Sequence, residues 1–317
     1  MNMIELSQKE ERLASGHRLC AGCAEPLNIK LVLAAIDEPV VIINATSCLE
    51  VATTIYPYTA WKVPWIHNAF ENASATASGI IEAYKVLLRK KPQDRPDWAK
   101  ELPENIKFLV LGGDGGTYDI GLQSLSGALE RGHQFLYVCY DNEAYMNTGN
   151  QRSGATPRGS HTTTSPAGKV QQGKKEFKKD LTAVIEGHHI NYVAQSSISN
   201  FADLTRKAKR AMEVEGPSFI NLISPCQRSW GYDPAQTVRI AELAVQTNFW
   251  PLYEVDHGKF TLNYEPKERK PMLEWFKSQK RFKHLLKPEN EGLVREIQEH
   301  VDKEFARIKK RAGDCEK

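Results

Sequence analysis

Five short runs, "VVIIN" (40–44), "KFLVL" (107–111), "QFLYVCY" (134–140), "INYVAQ" (190–195) and "SFINLIS" (218–224), are rich in β-branched and aromatic residues without polar alternation. Strands of this texture bury both faces, as strands of a parallel sheet do. Helical patterns separate them: "EPLNIKLVLAAI", "ASATASGIIEAYKVLLRK", "GLQSLSGALERG" and "FADLTRKAKRAMEVEG", the last closed by a glycine. The alternation predicts an α/β chain, a mostly parallel sheet with helices on both faces. "KKPQDRPDWAKELPEN" (90–105) reads as a polar surface connection. From about residue 250 the texture changes to a hairpin pattern, "YEVDHGKFTLNYEP", and then to basic amphipathic helices. The expected division is an α/β domain over 1–250 and a hairpin with a helical extension over 251–317. That extension is either a solvated appendage or an arm that packs on another subunit.

The polar motifs fall just past the strands. Cys48 follows "VVIIN" after "ATS", "GGDGG" follows "KFLVL", "DNEAYMNTGNQ" follows "QFLYVCY", and Cys226 follows "SFINLIS" after a proline. In a parallel sheet these carboxyl ends share one edge, where open α/β folds bind ligands. One site can therefore gather all four motifs.

In "LVLGGDGGTYDIGLQSL" a strand runs through Gly112, Gly113, Asp114, Gly115 and Gly116 into a helix. Glycines let backbone approach a ligand closely, and a helix start offers free N–H groups to an anion such as a diphosphate. Asp114 adds the hard oxygen that Mg2+ prefers, and Mg2+ is commonly shared between one or two protein carboxylates and phosphate oxygens. The alternative is a tight turn with a capping aspartate. Asn142 follows Asp114 by 28 residues, enough for one helix and one strand, so it should end the neighbouring strand at the same edge. Its side-chain oxygen and the carbonyl of Ala144 can complete a metal shell. Neither G-x-G-x-x-G nor a Walker A lysine motif occurs, which argues against NAD and ATP.

Six cysteines in 317 residues are too few for a disulfide scaffold. Cys139 sits inside an apolar strand and reads as a packing thiol, while Cys315 lies near the end of a charged tail. Cys20, Cys23, Cys48 and Cys226 remain, open to an iron–sulfur cluster, a zinc ion, a dithiol pair for the C-x-x-C, or packing. The net charge of +3 gives no nucleic-acid-binding surface. The N-terminus lacks the apolar core of a signal peptide and no run reaches the ~20 apolar residues of a membrane span, so a cytoplasmic protein is expected.

The block "GDGGTYDIGLQ … DNEAYMNTGNQRSGATP … TTTSP", preceded by "NATSCLEV" and "YPYTAWKVPWIH", resembles the β subunit of 2-oxoacid:ferredoxin oxidoreductases, most closely the pyruvate enzyme. The similarity covers roughly residues 15 to 230, and G-D-G with the later asparagine is the thiamine diphosphate signature. The resemblance implies the thiamine diphosphate-binding fold and one 4Fe-4S cluster on Cys20, Cys23, Cys48 and Cys226. It places thiamine diphosphate contacts at Glu25, Cys48, Gly113, Asp114, Gly115, Gly116, Asn142, Ala144 and Asn147. Magnesium falls on Asp114, Asn142 and the Ala144 carbonyl, and Asn147 faces the reacting carbon as the catalytic polar residue. Two departures stand out: Asn142 replaces a threonine found in some members, and Ala24 replaces a common glycine after the second cysteine.

The activity so implied is oxidative decarboxylation of pyruvate to acetyl-CoA and CO2, with electrons passed through the cluster to ferredoxin. The same motifs serve enzymes acting on oxalate or branched-chain 2-oxoacids. A different class of reading is a non-catalytic iron–sulfur or zinc subunit for electron transfer or assembly. In the resembling family the carboxylate that activates thiamine comes from an α subunit, and further 4Fe-4S clusters lie on other subunits. The chain is thus expected to be active only with partners, with coenzyme A and a 2-oxoacid as substrates. His17, His67 and His161 have no spacing that ties them to the reaction and read as structural or surface histidines. Arg152 and Arg158 are either substrate or coenzyme A contacts or solvated loop charges.

Overall fold

The computed structural model describes residues 2–55 and 57–314, and Cys315 lies outside them. Among these residues eight strands make one sheet in the order β2-β1-β3-β4-β6-β5-β7-β8. They are β1 Val40–Ala45, β2 Trp65–Asn68, β3 Lys107–Gly113, β4 Leu136–Asp141, β5 Tyr192–Ser197, β6 Ser218–Ile223, β7 Leu252–Asp256 and β8 Lys259–Tyr264. All pairings from β2 to β5 are parallel, and β7 and β8 add antiparallel to the β5 edge. The helices are α1 Met3–Ser7, α2 Ala24–Ala34, α3 Cys48–Thr53, α4 Ala73–Arg89, α5 Leu122–Glu130 and α6 Leu181–Glu186. They continue as α7 Phe201–Glu213, α8 Gln227–Trp230, α9 Thr237–Gln246, α10 Met272–Lys277 and α11 Glu291–Asp314. None is long and apolar enough to cross a membrane.

The five expected strands are present because their side chains are buried on both sides. Ile42, Leu109, Leu111, Val138 and Ile220 point to a layer filled by α2 and α7 through Ile29, Val32, Leu204 and Ala208. Their neighbours Ile43, Val110, Cys139 and Phe219 point the other way, against Ala77 and Ile81 of α4 and Leu125 of α5. The period of two in the strands thus sorts one continuous apolar run into two cores. Cys139 is fully buried in the second core, as a packing thiol should be. Strand β2 was not legible in the sequence: it is four residues long, follows Pro64, and lies half-exposed at the sheet edge.

The hairpin β7–β8 continues the sheet, and α10 and α11 bury against the same chain. Trp275, Phe276, Phe282, Ile297 and Val301 form a third core with Trp230, Trp250 and Ile223. Trp275 is fully buried, with ring centroids 4.3 Å from Phe249 and 5.5 Å from Phe282. Trp275→Ala should cost about 3–5 kcal/mol, the usual penalty for emptying an aromatic core site. Urea unfolding of the full chain measures it; a cost below ~1 kcal/mol would mean that the C-terminal segment is only loosely applied.

Candidate active site

Strand β3 ends in Gly112 and Gly113, and Asp114 leads into a π-helical turn, Gly115–Ile120, before α5. The Gly121 amide donates to the Gly116 carbonyl at 2.8 Å, an i→i+5 bond of the kind that widens a helix at functional sites. Space requires the glycines here. A Cβ on Gly115 would run into the ring of Tyr145, and one on Gly116 would stand 2.8 Å from the Phe70 carbonyl oxygen, a backbone atom that cannot swing aside. Gly116→Ala should therefore shift the turn and weaken diphosphate binding by at least ~10-fold while the chain stays folded, measured by calorimetric titration with thiamine diphosphate and Mg2+.

Because β3 and β4 are adjacent and in register through Gly113 and Tyr140, the segment after β4 reaches the same edge. There Cys48, Gly113, Asp114, Gly115, Gly116, Asn142, Ala144 and Asn147 line one narrow cleft, joined by Ser47, Phe70, Tyr145 and Met146. Glu25 stands behind it in the first turn of α2, its Oε1 accepting from Asn142 Nδ2 at 2.9 Å. All nine residues expected to contact the cofactor are thus gathered at one edge. A larger cavity of about 750 Å3 lies under α11 between Phe249, Trp250, Val301 and Phe305, but it contains neither the glycine turn nor a cysteine. The glycine turn and Cys48 line the narrower cleft.

Asp114 is buried, with Oδ1 accepting from the Asn142 amide at 3.3 Å and Oδ2 from the Ser153 hydroxyl. Burial, followed by the nearby Asp141 carboxylate, pushes its carboxyl well above the usual range, and Glu143 adds to the effect. A buried acid crowded by two others favours a cation, and the donors present are hard oxygens: the Asp114 carboxylate, the Asn142 amide oxygen and the Ala144 carbonyl. That set fits Mg2+. In this structure Asn142 Oδ1 accepts from the Ala144 amide at 3.2 Å. Glu25 is buried too, and burial raises it to about 7; its Oε2 has no hydrogen-bond partner. That orphaned acceptor beside the cleft suits a donor group on an incoming cofactor.

The four candidate thiols come from two strand ends and the loop before α2. Cys23 caps α2, Cys48 starts α3 and Cys226 caps α8, while Cys20 is exposed and joined to Cys23 by a turn bond of 3.0 Å. The Ala24 amide donates to the Pro225 carbonyl at 3.4 Å, tying the C-x-x-C loop to the Cys226 turn. Burial raises the Cys23, Cys48 and Cys226 thiols, Cys226 to about 11, and each of the three also feels the charge of other members of the set. Thiolates here need a cationic centre to neutralise them. No group of three or more His, Cys, Asp or Glu side chains among the described residues stands close enough to hold a single metal ion. Four thiolates are the donor set of a 4Fe-4S cluster, and these four, one close pair and two singletons, lack the two close pairs usual in four-cysteine zinc sites.

Two residues of the site, Ser153 and Trp230, were not legible in the sequence, while Tyr145 falls inside the stretch Asn142 to Asn147 on which the resemblance places cofactor contacts. Ser153 holds Asp114, Tyr145 donates to the Gly115 carbonyl at 2.8 Å, and Trp230 Nε1 donates to the Asn142 carbonyl at 2.9 Å. No spacing pattern marks them: Ser153 and Tyr145 lie on loops and Trp230 ends α8. His17, His67 and His161 do not line the cleft. Arg152 stands 3.7 Å from Glu176, and Arg158 pairs with Glu296 at 2.9 Å, as loop charges do.

Residues 47–222 match the family described as thiamine pyrophosphate enzyme, C-terminal TPP binding domain. The chain is 50% identical over 311 residues to pyruvate synthase subunit PorB of Thermotoga maritima, covering 96% of this chain and 93% of that protein. It is 50% identical over 294 residues to the PorB subunit of Methanocaldococcus jannaschii, covering 93% and 95%. Ketoisovalerate oxidoreductase subunit VorB of Pyrococcus abyssi is 41% identical over 305 residues, covering 96% and 94%. A solved 2-oxoglutarate:ferredoxin oxidoreductase from Magnetococcus marinus, with 2-oxoglutarate, coenzyme A and succinyl-CoA bound, superposes with a TM-score of 0.52 at 23% identity over 71% of this chain and 69% of that one. That likeness speaks to the fold.

Proposed function

The chain belongs to the thiamine pyrophosphate-dependent 2-oxoacid:ferredoxin oxidoreductases as a PorB-type subunit, and from that membership we propose that it holds Mg-thiamine diphosphate and one 4Fe-4S cluster for the oxidative decarboxylation of pyruvate to acetyl-CoA and CO2. The observation that carries the reading is Cys48, which lines the cofactor cleft and stands near enough to Cys226 and Cys20 to feel their charge. The cofactor cleft and the cluster ligands thus share a wall.

Gly115 and Gly116, packed closely under Tyr145 and Phe70, set the π-turn at which a diphosphate would bind, and Asp114, the Asn142 side-chain oxygen and the Ala144 carbonyl would hold its Mg2+. Thiamine diphosphate, when bound, supplies the carbon nucleophile and electron sink that cleavage of a 2-oxoacid requires. The protein's part would be orientation: Asn147 at the cleft would donate to or accept from the reacting group, and Phe70, Tyr145 and Met146, which line the cleft, would screen it from water. Glu25 lies behind Asn142 and keeps its amide turned. Cys20, Cys23, Cys48 and Cys226 would hold the cluster that takes electrons one at a time toward ferredoxin. The activating carboxylate and the outward clusters come from an α subunit and further subunits, so activity belongs to the assembled complex.

A second reading is favoured by one observation, the 41% identity to a ketoisovalerate oxidoreductase subunit: the substrate is a branched-chain 2-oxoacid. Pyruvate, 2-oxoisovalerate and oxalate offered to the anaerobic complex with ferredoxin and coenzyme A separate the cases. Pyruvate should have the highest kcat/KM. Preference for either other acid replaces the substrate, and a complex without bound thiamine diphosphate leaves only the non-catalytic electron-transfer or assembly role.

A further inference from the structure

We propose that Arg281, from the C-terminal extension, is a positioning residue that locks the metal-binding loop Asn142–Ala144 to the turn carrying Cys226. The inference rests on the cofactor assignment above and concerns a residue well outside the matching domain.

Glu143 lies between the two magnesium-side residues, and its backbone is left-handed with φ +64°, uncommon and strained for a residue with a side chain. The surroundings hold it there. Its amide donates to Asp141 Oδ1 at 2.9 Å and its carbonyl accepts from Thr156 Oγ1 at 2.6 Å. Its side chain turns away from the cleft into the protein, where Oε2 accepts from Arg281 Nη2 at 2.6 Å and Oε1 from Lys178 Nζ at 3.2 Å. With Glu143 turned inward, its neighbours Asn142 and Ala144 face the cleft.

Arg281 also holds the other side of the loop. Its guanidinium lies 3.9 Å over the ring of Trp230, whose Nε1 donates to the Asn142 carbonyl. Trp230 ends the short helix that starts at Cys226, and its amide donates to the Cys226 carbonyl at 2.9 Å. One buried cation therefore contacts both the carboxylate that sets the loop backbone and the indole that joins the loop to a cluster ligand. Arg281 Nε donates to Gln279 Oε1 at 2.8 Å, which fixes the fork. Of the three buried acids here, Asp141 pairs with Lys178 and Glu143 with both Lys178 and Arg281, while Asp114 pairs with neither cation. Loss of Arg281 leaves Glu143 half-paired and frees it to leave its strained backbone, which would carry Asn142 and Ala144 with it. A lysine can restore the charge but not the stacked, forked geometry.

The test uses the anaerobic complex with Arg281→Gln, Arg281→Lys, Glu143→Gln and the Arg281→Gln/Glu143→Gln double variant, read by the Kd for thiamine diphosphate at set Mg2+, the cluster midpoint potential, iron content and Tm. Arg281→Gln is expected to weaken Mg-dependent cofactor binding by about 10- to 100-fold and to shift the potential, with iron retained. Arg281→Lys should recover part of the affinity, and the double variant should lose little more than the worse single one. A lower Tm with unchanged Kd and potential would reduce Arg281 to a structural residue and overturn the proposal. If Arg281→Gln fails to fold, Glu143→Gln, which keeps the shape of the side chain, decides the matter by the same readouts. Wild-type complex that binds no thiamine diphosphate sinks the cofactor assignment instead, which separates the two failures.

Discussion

Asp114→Ala is expected to abolish thiamine diphosphate binding, a loss of more than ~100-fold in affinity, while the complex keeps its iron. Asp114 is the only carboxylate among the residues lining the cleft, and Mg2+ bridges a diphosphate to protein chiefly through such a group. Its two oxygens also order the loop, through the Asn142 amide and the Ser153 hydroxyl. Asp114→Asn separates these roles, since it keeps the size and drops the charge. Cofactor binding should fail as badly with asparagine as with alanine, and Tm without cofactor should not fall, because a buried charge crowded by Asp141 and Glu143 has been removed. Equilibrium dialysis with Mg2+ and iron analysis on one preparation measure both. Retained cofactor in Asp114→Asn would show that the cleft is held by something other than this metal triad.

Cys226→Ser should strip the cluster, with iron and the brown absorbance falling by at least ~10-fold and ferredoxin reduction lost, while thiamine diphosphate still binds. Cys226 caps α8 at the end of the connection from β6 and does not line the cleft, so its loss should spare the diphosphate cradle. Cys48→Ser should damage both, because that residue is common to the two sites. Cys139→Ala is the control: the thiol packs inside β4, and iron should be unchanged. Full iron in Cys226→Ser, or iron loss in Cys139→Ala, would refute the ligand set. Together the aspartate and cysteine variants form a two-way dissociation, one losing the organic cofactor and keeping the metal centre, the other the reverse.

Much of this was readable from residue order. The uninterrupted apolar runs gave the parallel strands and their helical partners, and the motifs past the strand ends gave the edge at which the site lies. Strand β2 escaped because a half-exposed four-residue edge strand has no apolar run to announce it. Ser153 and Trp230 escaped for another reason: Ser153 comes to Asp114 on a loop and Trp230 comes to the Asn142 carbonyl from the end of α8, and no local period encodes which side chain such a segment delivers. The C-terminal extension read as a solvated appendage or an arm for another subunit, and neither reading foresaw that Trp275, Phe282 and Ile297 are buried against Trp230 and Trp250 of the same chain.

From the sequence alone came the character of each element and the chemistry it carries: which stretches are strands, where the glycine turn lies, and which cysteines and hard oxygens are available. Those properties are local, set by side-chain alternation and backbone freedom over a few residues. Only the tertiary structure decided that Glu143 is inverted into the protein, that Arg281 meets it from 138 positions away, and that one indole links the metal loop to Cys226. Such pairings depend on how separately formed elements close on one another. That closure is governed by burial and charge neutralisation over the whole chain, which no short window of residues contains.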